Sequence, residues 1–322
     1  MAHTLTTQQL SALLETQFGI TADALHLLES HFGTDIYRAD AGESAYLVKL
    51  FPSELTGARH EGDVTTFLRG KGIRVARHRA AADGSYCAAV GERLMTVRDF
   101  VHGDTFPVNS APDWVLRRMA TYLAELHIAL RDYPALPTAF SADFFSPLHA
   151  QKKRSRYRER APQTRGAVRE RYEAQIRHLE RVSLFSIDTT RLTYRASHGD
   201  YHIGQVVAAN GDITVIDFAA AARLPVVLEL ATSFLFASPR CKDGEIPADA
   251  LRRYVAAYQE RAPLSAYDRA ALPYVCYFWH TLCNYAPEEI VPENYAATAR
   301  LIAAAQDWFF DNVEQLSAAV GT

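Results

Sequence analysis

Alternation of apolar and polar positions dominates the chain from about Ala24 to Arg98. The segments "ALHLLES", "DIYRADA" and "SAYLVKLF" are short, rich in aliphatic and aromatic residues, and parted by turn residues at 31–34 and 41–44. They predict strands. A helical period follows over about 55–71, and further strands are expected around 85–90 and 93–97. Past Asp113 the period changes: "DWVLRRMATYLAELHIALRDY" repeats its apolar residues every three to four positions. Helices then dominate to the end, except for a hairpin near residue 205. The first twenty residues read as a short amphipathic helix capped at Thr6 or Thr7. Gly, Pro and Asn gather in "DFVHGDTFPVNSAPD", where one domain gives way to the next. The pattern predicts an α+β protein with a small β-rich domain over residues 1–100 and a larger, mainly helical one over 101–322.

The hairpin repays closer reading. In "GQVVAANGDITVIDF" two apolar runs flank Asn210-Gly211, the pair that favours a two-residue type I′ turn. That turn sets Ala209 opposite Asp212 and walks the register back to Gln205 opposite Ile216. Gly204 then faces Asp217. Gln205 and Asp217 therefore meet at the open end of the ribbon, and Asp200 lies in the turn that feeds it. Carboxylate and carboxamide oxygens at one point suit a hard cation such as Mg2+ with bound phosphates. An Asp or His in a turn commonly does no more than cap the backbone; the joint placement of three oxygen donors is what favours chemistry.

A second cluster is expected on the strand "AYLVKLF". Alternation puts Lys49 on one face with Leu47 and Phe51, so its ammonium needs an anionic partner. Glu61, twelve residues on in the following helical stretch, is the candidate. A strand lysine held by a helical glutamate aims a cation at nucleotide phosphates.

Composition narrows the field. The chain has 322 residues, 48% apolar and 22% charged, with a net charge of −3. Nothing global draws it to nucleic acid or an anionic membrane, and no apolar run approaches membrane-spanning length. The cysteines Cys87, Cys241, Cys276 and Cys283 lack paired spacing, which suits a reducing cytoplasm and argues against disulfides or structural zinc. Cys276 and Cys283 read as small buried thiols. The stretch from Lys152 to Arg181 is rich in arginine, but glutamates are interleaved and no aromatics recur as stacking platforms. It reads as a solvated helical face laced with ion pairs.

These residues together resemble the aminoglycoside phosphotransferase and choline kinase-like family, the small-molecule branch of the bilobal protein kinase fold. "HGDYHIGQ" is similar to the family's HGDxHxxN catalytic loop, and "VIDF" to its metal-binding segment. "YLVKLF" with Glu61, the linker "RLMTVRDFVHGDTF", the helix "LAELHIAL" and "RLPVVLELATSF" carry the likeness over about residues 10–315. Gln205 stands where the family usually has Asn and supplies the same carboxamide oxygen one methylene further out. Ala219 to Ala222 replace any second acid after the metal segment, and Glu229 replaces the Asp of an Asp-Leu-Ala motif, a structural position.

The resemblance implies roles. Lys49, positioned by Glu61, holds the phosphates of ATP or GTP, and the adenine lies against Arg98 to Phe100. Asp217 and Gln205 hold Mg2+, Asp200 aligns the acceptor hydroxyl, and His198 braces the loop. The acceptor is a small molecule: an aminoglycoside-like antibiotic, an amino alcohol or a sugar. Its pocket is expected from 122–172 and 274–295, where "YVCYFWHTLCNYAPEEIVPENY" sets aromatic rings beside Glu288, Glu289 and Glu293, a combination suited to a cationic amine. The aromatic run "YVCYFWHTL" reads more readily as helix core, so Tyr274, Phe278 and Trp279 are not assigned to the pocket. A stress-response Ser/Thr protein kinase shares this loop, and the Gln205 and alanine departures also fit a non-catalytic nucleotide-binding regulator.

Overall fold

The computed structural model describes residues 5–31, 33–52, 57–134, 136–283 and 295–321. The chain divides into two compact units: Met1–Asp104 with Gln205–Ala221, and Thr105–Gly204 with Ala222–Thr322. The first unit is thus discontinuous, with residues 205–221 returning to it.

The first unit begins with α1 (Thr7–Phe18). Thr6 caps it through a reciprocal box with Gln9, and Gly19 at φ 65° closes it. Strands β1 (Ala24–His31), β2 (Thr34–Ala41), β3 (Ser44–Pro52), β4 (Ala88–Val90) and β5 (Arg93–Asp99) form an antiparallel sheet in the order β1-β2-β3-β5-β4. Helix α2 (Gly57–Gly70) follows β3. Alternation sorts the sheet as expected. Val48 and Leu50 pack with Met95, Val97, Leu10 and Leu14 on one face; Phe51 and Leu94 pack with Cys87 and Ala219 on the other, the face that carries Lys49.

In the second unit, α3 (Asp113–Ala129), α4 (Pro147–Arg160) and α5 (Gly166–Val182) precede β6 (Tyr194–Ser197). The basic stretch on α4 and α5 behaves as a paired surface: Arg154 and Arg158 reach Glu180, Arg169 reaches Glu173, and Arg181 reaches Glu314.

The hairpin β7 (Val206–Ala209) and β8 (Asp212–Val215) has the expected register, Ala209 opposite Asp212 through Val206 opposite Val215. The Ile216 amide then donates to the Gln205 carbonyl at 3.0 Å. Asn210 at φ 54° and Gly211 at φ 74° make the primed turn. The hairpin is sewn into the first unit by a parallel bridge from Val215 to Val75 and by paired hydrogen bonds between Ala208 and Asp104. Gly103 is required there: a Cβ on it would lie 2.4 Å from the Ala208 carbonyl oxygen.

Strand β9 (Ala222–Pro225) pairs with β6 in the second unit, an element that the periodicity did not announce. Helices α6 (Val226–Ala237), α7 (Ala248–Gln259), α8 (Ala266–Cys283) and α9 (Ala296–Gly321) complete that unit, and every residue of α6 is buried. Cys276 is buried, but Cys283, at the end of α8, is exposed, so the expectation of two buried thiols holds for one of them. No helix among the described residues is long and apolar enough to cross a membrane.

Candidate active site

In the first unit the site begins with a buried lysine. Lys49 Nζ lies 2.7 Å from Asp217 Oδ2, with the two side chains 11% and 28% exposed. The lysine's direct ionic partner is therefore the hairpin's aspartate rather than Glu61. Asp217 adopts φ 69°, ψ 66°, a left-handed conformation uncommon for a residue with a side chain, though aspartate tolerates it better than most.

Glu61, fully buried on α2, has other work. Its Oε1 accepts the Phe218 amide at 3.1 Å and lies 3.4 Å from Arg98 Nη1. Its Oε2 faces His78 Nε2 at 3.7 Å, too far for a hydrogen bond, while His78 Nδ1 meets the Thr65 hydroxyl at 2.9 Å. Burial alone would raise the Glu61 carboxyl. His78 and the charges of Lys49 and Arg98 outweigh it and hold the group well below the usual carboxylate range. Glu61 thus fastens α2 to the residue after Asp217, and Lys49 acts on it through space.

The linker residues are placed differently from expectation. The Arg98 side chain is buried in the Glu61 cluster. The Phe100 amide donates to the Ala45 carbonyl at 2.9 Å, and the Phe100 ring lies under the Arg38 guanidinium and edge-on to His102.

The two residues read from the sequence as cation donors, Asp217 and Gln205, are brought close along the backbone by the bond from the Ile216 amide to the Gln205 carbonyl. No group of three or more His, Cys, Asp or Glu among the described residues is arranged to hold a metal. One carboxylate and one carboxamide, with Asp217 partly open to solvent, fit a hard divalent ion that completes its shell with phosphate oxygens and water.

The second unit carries the loop from Ser197 to Gly204. His198 is fully buried, and its Nδ1 accepts the Asp200 amide at 3.1 Å. Glu229, at the start of α6, braces the loop from behind: Oε1 accepts the Gly199 amide at 2.6 Å, and Oε2 accepts the Ser197 hydroxyl. His127 on α3 bridges Ser197 and the Tyr258 hydroxyl, at 2.5 and 2.8 Å. Burial pushes the His127 imidazole down against the opposing pull of Glu229, so it stays neutral near pH 7. The Asp200 side chain is left 57% exposed, with His202 Nε2 3.5 Å from its Oδ2. His202 Nδ1 accepts the Gly204 amide, which turns its protonated nitrogen toward Asp200.

A small pocket, with a cavity volume of about 30 Å3, opens at Asp200 and His202, walled by Phe140, Leu224, Leu228, Phe236 and Trp279. Within the aromatic run of α8, Tyr277 and Phe278 are core while Trp279 lines this pocket. Glu288, Glu289 and Glu293 lie outside the described residues.

Of the site residues read from the sequence, Lys49, Glu61, Arg98 and Asp217 form one cluster in the first unit, with Gln205 at its hairpin base. His198 and Asp200 share the loop of the second unit. His78 and the pair His127–Ser197 were not read as site residues, although "LAELHIAL" and "SHGD" contain two of them; Phe140 and Trp279 fall within 122–172 and 274–295, the stretches expected to supply the acceptor pocket, without having been singled out.

A family model described as phosphotransferase enzyme family matches residues 25–272. No curated protein sequence matches the chain. Among solved structures, the chain is similar to an amicoumacin kinase, hAmiN, in complex with AMP-PNP, Ca2+ and Ami, at 15% identity over 94% of each chain and a TM-score of 0.65. It is similar to an aminoglycoside phosphotransferase from Alicyclobacillus acidocaldarius at 16% identity, over 99% of this chain and 98% of that one, with a TM-score of 0.66. A microcompartment-associated aminopropanol kinase matches at 18% identity, over 98% and 99%, with a TM-score of 0.63. These likenesses establish the α+β kinase-like fold, and the family match spans well over half the sequence: the chain belongs to the phosphotransferase enzyme family.

Proposed function

We propose that this enzyme moves the γ-phosphoryl group of ATP or GTP to a hydroxyl of a small molecule. The observation that carries the reading is the Asp200 carboxylate. It stands exposed at a pocket, on a loop whose backbone is held by Glu229 and His198. The named relatives include an amicoumacin kinase and an aminopropanol kinase, and the alcohol in the second name supports a hydroxyl acceptor.

Each group then has one task. Lys49 offers its ammonium to the phosphate oxygens, and Glu61 fixes the backbone beside Asp217. Asp217 and Gln205 would hold Mg2+, which neutralises charge on the transferred group. With Arg98 committed to Glu61 and the Phe100 amide to Ala45, we assign the adenine contact to the backbone from Phe100 to Gly103. Asp200 accepts a hydrogen bond from the acceptor hydroxyl and aligns it for in-line attack. A carboxylate is too weak a base to take an alcohol's proton early, so the proton leaves late. His202 keeps the Asp200 carboxylate facing the pocket.

Asp200→Asn retains the shape and removes the charge. ADP release with an accepted alcohol should fall about 10^3-fold, within the range of lost acid–base and positioning groups. Nucleotide binding, followed by thermal stabilisation, should persist. Near-normal turnover in Asp200→Asn would remove the assignment.

A further inference from the structure

Buried polar atoms of a folded chain are met by hydrogen bonds, and each exception has a physical reason. Among the described residues, five side-chain nitrogens are buried without a partner, and three of them belong to Trp279 and His280, neighbours on α8. The other two sit beside an acid: His78 Nε2 faces Glu61 at 3.7 Å, and Arg154 reaches Glu180 through Nη1. Trp279 Nε1 and the two His280 ring nitrogens have neither bond nor ion pair among the described residues.

These nitrogens stand at the wall of the pocket beside Asp200. Trp279 lines it, and His280 packs edge-on against Trp279 and the lining residue Phe236, with centroids 4.9 and 6.0 Å apart. Phe140 stands at 86° to the indole, so rings on two sides hold its orientation. The other polar side chains of the lining are engaged within the chain. Glu229 accepts from Ser197 and Gly199, and His202 accepts the Gly204 amide and faces Asp200. The Tyr201 and Thr232 hydroxyls donate to the Met119 and Leu228 carbonyls. Phenylalanine and leucine would fill the α8 wall without unmet nitrogens, and a chain keeps such a cost where function uses it. The three nitrogens select what they can meet. An indole N–H only donates. Burial pushes the His280 imidazole down to about 3, so near neutrality it is uncharged and offers one donor and one acceptor. A hydroxyl, which both accepts and donates, matches that set; an ammonium offers the indole nothing. The cavity of about 30 Å3 holds about two waters' worth of atoms, room for a hydroxyl and its carbon.

Resting on the kinase reading above, we propose that Trp279 and His280 form a hydroxyl-recognition subsite of the acceptor pocket. The acceptor is a diol or polyol: one hydroxyl lies at Asp200, and a second accepts from Trp279 Nε1 and donates to the unprotonated nitrogen of His280. Amines elsewhere on such an acceptor do not bear on this assignment.

The test is steady-state ADP or GDP release by the full-length protein with Mg2+ and ATP or GTP against three acceptor series. The first is short primary alkanols, the second the diols and triols built from them, and the third the amino alcohols with an amine in place of the added hydroxyl. The best diol or triol should exceed its parent alkanol about tenfold in kcat/KM, with the gain in KM. Trp279→Phe keeps a ring and removes the N–H. It should abolish that preference and leave the ratio of amino alcohol to alkanol where it was. His280→Leu should weaken the same preference and melt no lower than the unaltered protein at pH 8, because leucine removes two unmet nitrogens. Three results overturn the subsite and leave the kinase reading standing: diols no better than alkanols, an equal loss across all series in Trp279→Phe, or a lower melting temperature in His280→Leu. If no series exceeds the Asp200→Asn background, both fall.

Discussion

Glu61 shows how much one buried carboxylate can organise. It sits within reach of Arg98 and His78 and accepts the Phe218 amide, so its removal leaves the buried Arg98 charge and a buried N–H unanswered. Glu61→Ala should destabilise the protein by about 3–5 kcal/mol, the cost of breaking a buried charge cluster from one side. Glu61→Gln, which keeps an acceptor for Phe218, should cost clearly less; urea midpoints of the two variants check the order. His280 makes a pH prediction. Its folded pKa of about 3 lies below the ordinary histidine value, so the unfolded chain binds the extra proton first as pH falls. Stability from this group is intact above about pH 6.5 and declines toward pH 3, losing about 2 kcal/mol between pH 7 and 5. His280→Leu should therefore show a smaller drop in melting temperature between those two pH values than the unaltered protein. Strand alternation and spacing singled out Lys49 and Glu61 together, and the structure places both in one cluster. Their direct pairing was not correct, because alternation says that a buried lysine needs an acid without saying which one. The hairpin, arriving from far downstream, delivers Asp217, 168 residues after Lys49, instead.

At the scale of elements, the primed turn at Asn210-Gly211 made the hairpin readable down to individual cross-strand pairs, since a two-residue loop leaves no freedom of register. The β6–β9 pair was invisible for the opposite reason: four residues on each side are too few to show a period. Helix α8 resisted a different question. Its apolar run from Ala271 to Trp279 carries no polar face that distinguishes core from pocket lining, so Trp279 could not be separated from Phe278. Phe140 lies 60 residues from Asp200 in a stretch with no motif. Helix α2 offers a test of packing against propensity. Gly62 sits mid-helix, where alanine would ordinarily stabilise by nearly 1 kcal/mol. A Cβ there would lie 2.2 Å from the Tyr86 Cβ, so the clash wins and Gly62→Ala should destabilise by about 1–3 kcal/mol. The double variant with Tyr86→Gly should recover part of that loss, a coupling that a double-mutant cycle measures directly.

At the scale of the whole molecule, the discontinuity of the first unit has consequences for folding. Gly, Pro and Asn after residue 99 mark a change along the chain, yet no feature of composition announces that residues 205–221 return to the earlier unit. The returning segment is more than a cover. It contributes buried Val206, Ile213, Val215 and Phe218, the partner for Lys49, and the amide that Glu61 accepts. A fragment of residues 1–104 alone keeps the five-stranded sheet's sequence but strands Lys49 and Glu61 at a surface stripped of their partners and exposes the apolar floor beneath them. It should show no cooperative thermal transition by circular dichroism. Asp104 and Ala208 exchange two hydrogen bonds, so the fragment's end lies beside the third residue after Gln205, and a few Gly/Ser residues suffice to join 104 to 205. That joined chain should regain a cooperative transition, and Asp217→Ala within it should weaken the transition by unpairing Lys49. Equal melting of the two fragments would mean that the hairpin is an ornament on a sheet stable without it.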